Sequence, residues 1–86
     1  MSEETTVSAS SVWPEDAADV EEGYLANWFV RPGATVEAGE TLCEVQVEKV
    51  SVDVPAPVDG TLTERLVEEG DEFTREDPLA RIDSDD

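Results

Sequence analysis

The sequence contains no histidine, one cysteine (Cys43) and one lysine (Lys49) in 86 residues. Without histidine, a Ser-His-Asp triad, a Cys-His pair and a Cys/His zinc site are all excluded. The acids follow no D-x-D-x-D-G spacing and no motif that would pair two of them in a cleft, so we predict no metal site, no catalytic residue and no independent enzyme. A lone cysteine cannot form an intramolecular disulfide. Cys43 is therefore interpreted as a small apolar core residue in a reducing compartment, which predicts a cytoplasmic location.

Basic residues are scarce throughout: 5 bases stand against 23 acids, a net charge of −18. A nucleic-acid site needs a basic surface to replace phosphate counterions, and an anionic membrane surface attracts basic segments. Residues 1–10 contain two acids, no base and no apolar run, so they are neither a signal peptide nor a membrane span. The sequence thus predicts no nucleic-acid partner and no membrane association.

The acids are spread over nearly every segment. The five basic residues are four arginines and one lysine. This composition resembles that of proteins from salt-loving archaea, and we expect a halophilic origin. Carboxylates crowded on a small body repel one another in dilute buffer, and molar salt screens that repulsion. A specific basic partner is the alternative explanation of the charge, and the regular patterning described next argues against a disordered acidic chain.

Strict alternation of apolar and polar residues predicts two half-buried strands, at 43–48 and 50–54. If Glu48 and Lys49 are the central residues of a tight turn, every apolar side chain of both strands lies on one face, whereas a slip of one residue would expose them. Two-residue turns favour Asn-Gly or Asp-Gly because they need positive φ, so Glu-Lys breaks a local rule and marks a functional candidate. The predicted cross-strand pairs are Val47 with Val50, Val45 with Val52 and Cys43 with Val54.

A repeat appears when the chain is shifted against itself by 37 positions, which aligns Leu25 with Leu62, Gly33 with Gly70 and Val45 with Ile82. Each half is predicted to contain a strand, a glycine turn and a second strand, at 24–30 and 41–48, then at 60–67 and 79–83. Residues 7–13 form a weaker strand candidate and 15–22 are assigned to a loop. We therefore predict an all-β fold of seven or eight strands, a small flattened β-barrel or sandwich of two antiparallel sheets with internal pseudo-twofold symmetry. The domain is placed at 11–83, between a flexible acidic tail (1–10) and a disordered end (84–86).

Residues 12–83 are similar to a lipoyl domain of the biotinyl/lipoyl-carrier family. The resemblance depends on Gly39, Leu42, the run E-V-Q-V-E-K-V-S-V-D-V at 44–54, P-A-P-V at 55–58 and Gly60. Family members carry glycine sixteen residues before and eleven residues after the lysine, where Gly33 and Gly60 stand. The residue before the lysine is usually Asp and the one before that Thr or Ser; here they are Glu48 and Val47.

The resemblance implies that lipoic acid is joined to Lys49 through an amide and acts as a swinging arm of a 2-oxo acid dehydrogenase complex, moving acyl groups and reducing equivalents. The implied partners are a lipoate ligase or lipoyl transferase, a thiamine-dependent 2-oxo acid dehydrogenase, a dihydrolipoyl acyltransferase and dihydrolipoyl dehydrogenase. Recognition by these enzymes is expected at Glu48, Val50, Gly33 and Gly60.

Two alternatives stay open. Relatives that carry biotin typically place methionine on both sides of the lysine, whereas Lys49 lies between Glu48 and Val50, which favours lipoate over a biotin carrier. The second alternative is a non-modified interaction module that uses the hairpin as a docking edge. The intact mass of protein from the native host separates the three by a lipoyl increment, a biotinyl increment or none.

Overall fold

The computed structural model describes residues 2–85, which form eight strands in two four-stranded antiparallel sheets. One sheet has the order β1-β8-β6-β3 and the other has the order β5-β4-β2-β7. The principal dimensions of 39 × 21 × 18 Å describe a flattened sandwich, and the predicted fold class is confirmed. The strands are β1 (Ser2–Ser8), β2 (Glu22–Trp28), β3 (Thr35–Val36), β4 (Thr41–Val47), β5 (Val50–Pro55), β6 (Gly60–Arg65), β7 (Glu72–Thr74) and β8 (Pro78–Asp85).

The core lies between the two sheets and is filled by aliphatic side chains from both halves of the chain. Every second residue of β4 from Cys43 onward faces the core, so Cys43, Val45 and Val47 are completely buried. The largest fully buried side chains are Leu25, Leu42, Leu62, Leu79 and Ile82. Burying a side chain of this size contributes about 1.5 to 3 kcal/mol, so these residues account for much of the stability of so small a domain.

Strands β4 and β5 form the predicted hairpin in the predicted register. Val47 pairs with Val50, Val45 with Val52 and Cys43 with Val54, and the two residues between the strands are Glu48 and Lys49. Val52 is only partly buried, although it packs on the core. The phase argument therefore determined the register correctly.

The 37-residue repeat corresponds to a pseudo-twofold axis, and each half completes the other. The amide of Gly33 donates to the Leu62 carbonyl oxygen (2.6 Å), and the equivalent Gly70 amide donates to the Leu25 carbonyl oxygen (2.8 Å). Both glycines have positive φ, 94° and 88°, a conformation that side chains with a Cβ disfavour. The strands after these turns, β3 and β7, then pair with β6 and β2 respectively, so each short strand joins the first strand of the opposite half.

The predicted flexible tail and disordered end are corrected for the residues that the structure describes. Ser2–Ser8 form β1, which pairs with β8, and β8 extends to Asp85 rather than ending at residue 83. Strand β1 is an edge strand with acids at Glu3 and Glu4, and charged edge strands show little of the apolar alternation that reveals a strand in a sequence. Met1 and Asp86, which also fall in those two predicted segments, lie outside the described residues.

The predicted strand at 7–13 is wrong beyond Ser8, where β1 ends, and the predicted loop at 15–22 ends one residue early, where β2 begins at Glu22. The segment between the two strands is ordered. It contains two short 3₁₀ turns, Ser10–Val12 and Glu15–Ala17, and buries Trp13 and Ala17. The indole Nε1 of Trp13 donates to the carbonyl oxygens of Ala17 (3.1 Å) and Val20 (2.9 Å), which closes the segment over the sandwich.

None of the helical segments in residues 2–85 has the length and apolar character needed to cross a membrane.

Truncation of the hairpin core should destabilise the fold. Val45→Ala removes two buried methyl groups and leaves a cavity, so we expect the free energy of unfolding to fall by about 2 kcal/mol. Denaturant unfolding at fixed salt measures the change. Ser51→Ala, at an exposed position of the same hairpin, is the control and should change stability by less than about 0.5 kcal/mol. Equal losses in the two variants would contradict the register.

Burial raises the pKa of the Cys43 thiol from 9.0 to about 12. The native thiol thus keeps its proton where the unfolded thiol loses it, so Cys43 should make the free energy of unfolding decrease as pH rises from 9.0 towards about 12. Because the thiolate is the nucleophile, we expect a thiol reagent such as DTNB to label the native protein far more slowly than the protein in denaturant. Equal labelling rates would show that Cys43 is accessible in the folded state.

Candidate functional site

Lys49 lies at the outermost point of the β4–β5 hairpin, as the second of the two residues that join the strands. Glu48 and Lys49 are both exposed, whereas Val47, the last residue of β4, is completely buried. The exposed turn is therefore attached directly to the core through one residue. The Lys49 side chain is thus exposed to solvent, while the backbone that carries it is anchored next to the core.

The backbone of the turn is strained at Glu48, whose φ of 56° is in the left-handed region. Glu48 is the one residue other than glycine in the described chain with positive φ. For a residue with a Cβ this conformation costs about 1 to 2 kcal/mol, so neighbouring contacts have to stabilise it. The conflict between Glu-Lys and a tight turn, which the sequence indicated, is thus present in the structure.

Two side chains on the exposed face of the sheet support the turn. The Tyr24 hydroxyl donates to Gln46 Oε1 (2.8 Å), and Gln46 Nε2 donates to the Glu48 carbonyl oxygen (3.2 Å). Tyr24 belongs to β2 and is the register partner of Gln46 on β4. The hydrogen bonds therefore connect the middle of the sheet to the turn that carries Lys49.

An open groove of about 590 Å³ adjoins the hairpin. Its lining includes the Tyr24 and Gln46 side chains together with Val20 and Gly23. Three glutamates also line it, namely Glu22, Glu48 and Glu72. The groove beside the turn is consequently acidic on several sides.

The Lys49 ammonium takes no part in the ion pairs found within residues 2–85. Those pairs join Arg65 to Glu68 (4.0 Å) and Arg81 to Glu4 (3.8 Å) and Glu64 (3.5 Å). An exposed amine free of such pairs can react without first losing a partner. The exposed turn could therefore carry a group attached covalently to Lys49 without a rearrangement of the surrounding residues.

The other residues predicted from the resemblance are placed differently. Val50 follows Lys49 and is half-buried at the start of β5, so it borders the site. Gly33 and Gly60 are associated with the other sheet: Gly33 bonds to Leu62 on β6, and Gly60 begins β6. A Cβ at Gly60 would lie 2.5 Å from the Asp83 carbonyl oxygen and 2.8 Å from Ile82 Cγ2. Both glycines thus have backbone roles, and their recognition by other enzymes stays a prediction.

Sequence reasoning missed Tyr24, Gln46 and the acidic groove. Tyr24 and Gln46 are 22 residues apart, and their contact depends on the pairing of β2 with β4. That pairing is irregular between Leu25 and Asn27, which no periodicity reveals.

Within residues 2–85 there is no cluster of three or more acids or cysteines suited to hold a metal ion.

Comparison with known proteins identifies close relatives of this fold and this sequence. The family model described as "Biotin-requiring enzyme", which covers biotinyl and lipoyl domains, matches residues 12–82. The dihydrolipoyllysine-residue acetyltransferase component of the pyruvate dehydrogenase complex is 40% identical in Staphylococcus aureus and 38% identical in Staphylococcus epidermidis. Each match extends over 73 residues, which is 85% of this chain and 17% of the relative, so the chain spans about a sixth of the length of these proteins.

A solved structure agrees in fold. The lipoyl domain of the 2-oxoglutarate dehydrogenase complex from Azotobacter vinelandii superimposes with a TM-score of 0.67 at 25% identity, covering 92% of each chain. The family model covers most of the sequence, and the structural match includes both sheets of the sandwich. The chain is therefore a member of the biotinyl/lipoyl-carrier family.

Proposed function

We propose that this chain is a lipoyl carrier domain, with lipoic acid amide-linked to Lys49. The observation that carries the proposal is the placement of the only lysine of the sequence at the tip of a tight, side-chain-supported hairpin. The relatives named for a dihydrolipoyl-lysine, and the fold shared with a lipoyl domain, support the choice of cofactor. Glu48 and Val50 in place of flanking methionines favour lipoate over biotin.

The residues of the chain hold and present the cofactor, and the lipoyl group supplies a disulfide that can be reduced and can carry an acyl group. For modification, Lys49 loses a proton from its ammonium and its Nζ attacks an activated lipoyl carboxyl, forming the amide as the activating group leaves. The buried valines below the turn keep the attachment point at a fixed distance from the sheet. Rotation about the side-chain bonds of Lys49 then provides the reach.

The chain is proposed to act as a shared substrate of several enzymes and not as a catalyst by itself. Its partners are a lipoate ligase or lipoyl transferase, a thiamine-dependent 2-oxo acid dehydrogenase, a dihydrolipoyl acyltransferase and dihydrolipoyl dehydrogenase, in the cytoplasm. Attachment to a complex would keep the arm at a high effective concentration near each of them. Glu48 and Val50, which flank Lys49, are proposed as positions that the modifying enzyme contacts.

The acidic composition supports a second proposal, adaptation to high salt. The 23 acids face five bases in the sequence, and only three ion pairs form within residues 2–85. Most of the negative charge is thus balanced by solvent ions rather than by the protein. An origin in a salt-loving organism would provide those ions.

Moving the lysine tests the carrier function. Lys49→Arg keeps the positive charge but cannot form the lipoyl amide, so we expect the fold to persist and the lipoyl increment to disappear from the intact mass. The matched control combines Lys49→Arg with Arg31→Lys, which places one lysine on the exposed Arg31-Pro32-Gly33 turn. This double variant should also stay unmodified, because position and not composition directs the modification.

The native protein has to be purified from its own host, or modified by a lipoylating system shown to be active in the same cells. Unmodified Lys49 under those conditions would favour the interaction module. A biotinyl increment would keep the fold and change the partners to carboxylases.

Salt should stabilise the fold by screening. Raising KCl from about 0.01 M to about 1 M shortens the Debye length from about 30 Å to about 3 Å, so we expect the thermal midpoint to rise over this range. Sucrose at matched osmolality is the control, since it stabilises proteins by exclusion without screening charge. Equal midpoints at both salt concentrations would refute the proposed adaptation.

A further inference from the structure

We propose that Tyr24 and Gln46 are positioning residues for Lys49: together they fix the peptide plane between Glu48 and Lys49, and so the direction in which the lysine leaves the hairpin. This inference deepens the proposed function, on which it rests. It concerns the side-chain pair on the exposed face of β2 and β4, hereafter the Tyr24–Gln46 pair. Neither residue is one of the apolar positions from which the hairpin was predicted.

The orientation of the Gln46 amide follows from its two partners. The Glu48 carbonyl oxygen can only accept a hydrogen bond, so the amide nitrogen of Gln46 faces it, at 3.2 Å. The amide oxygen then faces the Tyr24 hydroxyl, which donates at 2.8 Å. A flip of the amide would turn Oε1 towards the Glu48 carbonyl oxygen and break that hydrogen bond, whereas the Tyr24 hydroxyl can donate or accept. The Glu48 carbonyl oxygen therefore sets the orientation of the amide, and the hydrogen bond from Tyr24 holds the Gln46 side chain in the position from which Nε2 reaches Glu48.

The accepted hydrogen bond acts on Lys49 through the geometry of the peptide unit. The Glu48 carbonyl oxygen and the Lys49 backbone nitrogen belong to one planar peptide group. A hydrogen bond that fixes the Glu48 carbonyl oxygen therefore fixes the orientation of this peptide plane, which also contains the Lys49 Cα. Because Glu48 has a φ of 56° and lacks the turn chemistry of Asn or Gly, the turn has little intrinsic preference for this arrangement.

The chain offers a matched control on the same two strands. Asn27 Nδ2 donates to Glu44 Oε1 at 3.3 Å, which is also a side-chain hydrogen bond between β2 and β4 on an exposed position. This contact does not reach the turn, since Glu44 precedes Gln46 on β4 and pairs with Asp53 on β5. Loss of the Asn27 bond reports the general effect of removing one cross-strand contact.

The first measurement follows the turn without the cofactor. Backbone ¹⁵N relaxation of the unmodified chain should show the Glu48 and Lys49 amides as ordered as β4 in the parent protein, and more mobile in Tyr24→Phe. Asn27→Ala should leave both amides unchanged. Adding Glu48→Asn to Tyr24→Phe should restore the order, because Asn tolerates the left-handed region better than Glu does.

The second measurement follows modification. With a lipoate ligase, lipoate and ATP, the kcat/KM for the carrier chain should fall by about threefold to tenfold in Tyr24→Phe, the range expected for one lost hydrogen bond, and the change should lie mainly in KM. Asn27→Ala should stay within about twofold of the parent chain. Circular dichroism and thermal midpoints verify that both variants fold.

Four results separate the possible outcomes. Unchanged amide order and unchanged kcat/KM in Tyr24→Phe would overturn the positioning role. Equal losses in Tyr24→Phe and Asn27→Ala would overturn it too, since any cross-strand contact would then suffice. Mobility confined to Glu48 and Lys49 in Tyr24→Phe, together with a raised KM, supports it. If the parent chain is not modified at all while the relaxation difference persists, the lipoyl function fails and the role of the pair in fixing the turn stands.

Discussion

The structure depends on a reciprocal exchange of backbone hydrogen bonds between its two halves. Gly33 donates to Leu62 of the second half, and Gly70 donates to Leu25 of the first. Because each glycine turn ends on a strand of the opposite half, neither half can complete its sheets alone. The two sheets are consequently tied together at equivalent points on both sides of the core, and the aliphatic side chains between them have a fixed volume to fill.

This exchange provides a stable base for the hairpin. The sheet that contains β4 and β5 is completed by β2 and β7, and β7 comes from the other half of the chain. Lys49 therefore projects from a sheet that both halves hold in place. The backbone at the tip is defined, while the lysine side chain stays exposed. In the proposed carrier, that division gives a long arm a fixed origin, which keeps its reach constant from one partner to the next.

The charged side chains lie on the outside of the sandwich, at the β1 edge and across the strands β1, β8 and β6. Strand β1 forms one sheet edge and has acids at exposed positions, which discourages pairing with another chain. Arg81 on β8 forms ion pairs with Glu4 on β1 and Glu64 on β6, so one cation connects three adjacent strands. Side chains in these pairs are about half exposed, and their contribution to stability is small. Hydrophobic burial between the sheets remains the main source of stability.

The sequence by itself determined the hairpin register, the repeat and the candidate lysine. A strand pattern has period two, so one phase alone buries residues such as Val45 and Val47, and the turn at Lys49 follows from that phase. Only the tertiary structure decided that Ser2–Ser8 form a strand, since an edge strand needs few apolar residues and depends on β8 for its hydrogen bonds. It also brought Tyr24 to Gln46. That contact joins residues distant in the chain across an irregular strand pairing, and local periodicity contains no information about such a shift.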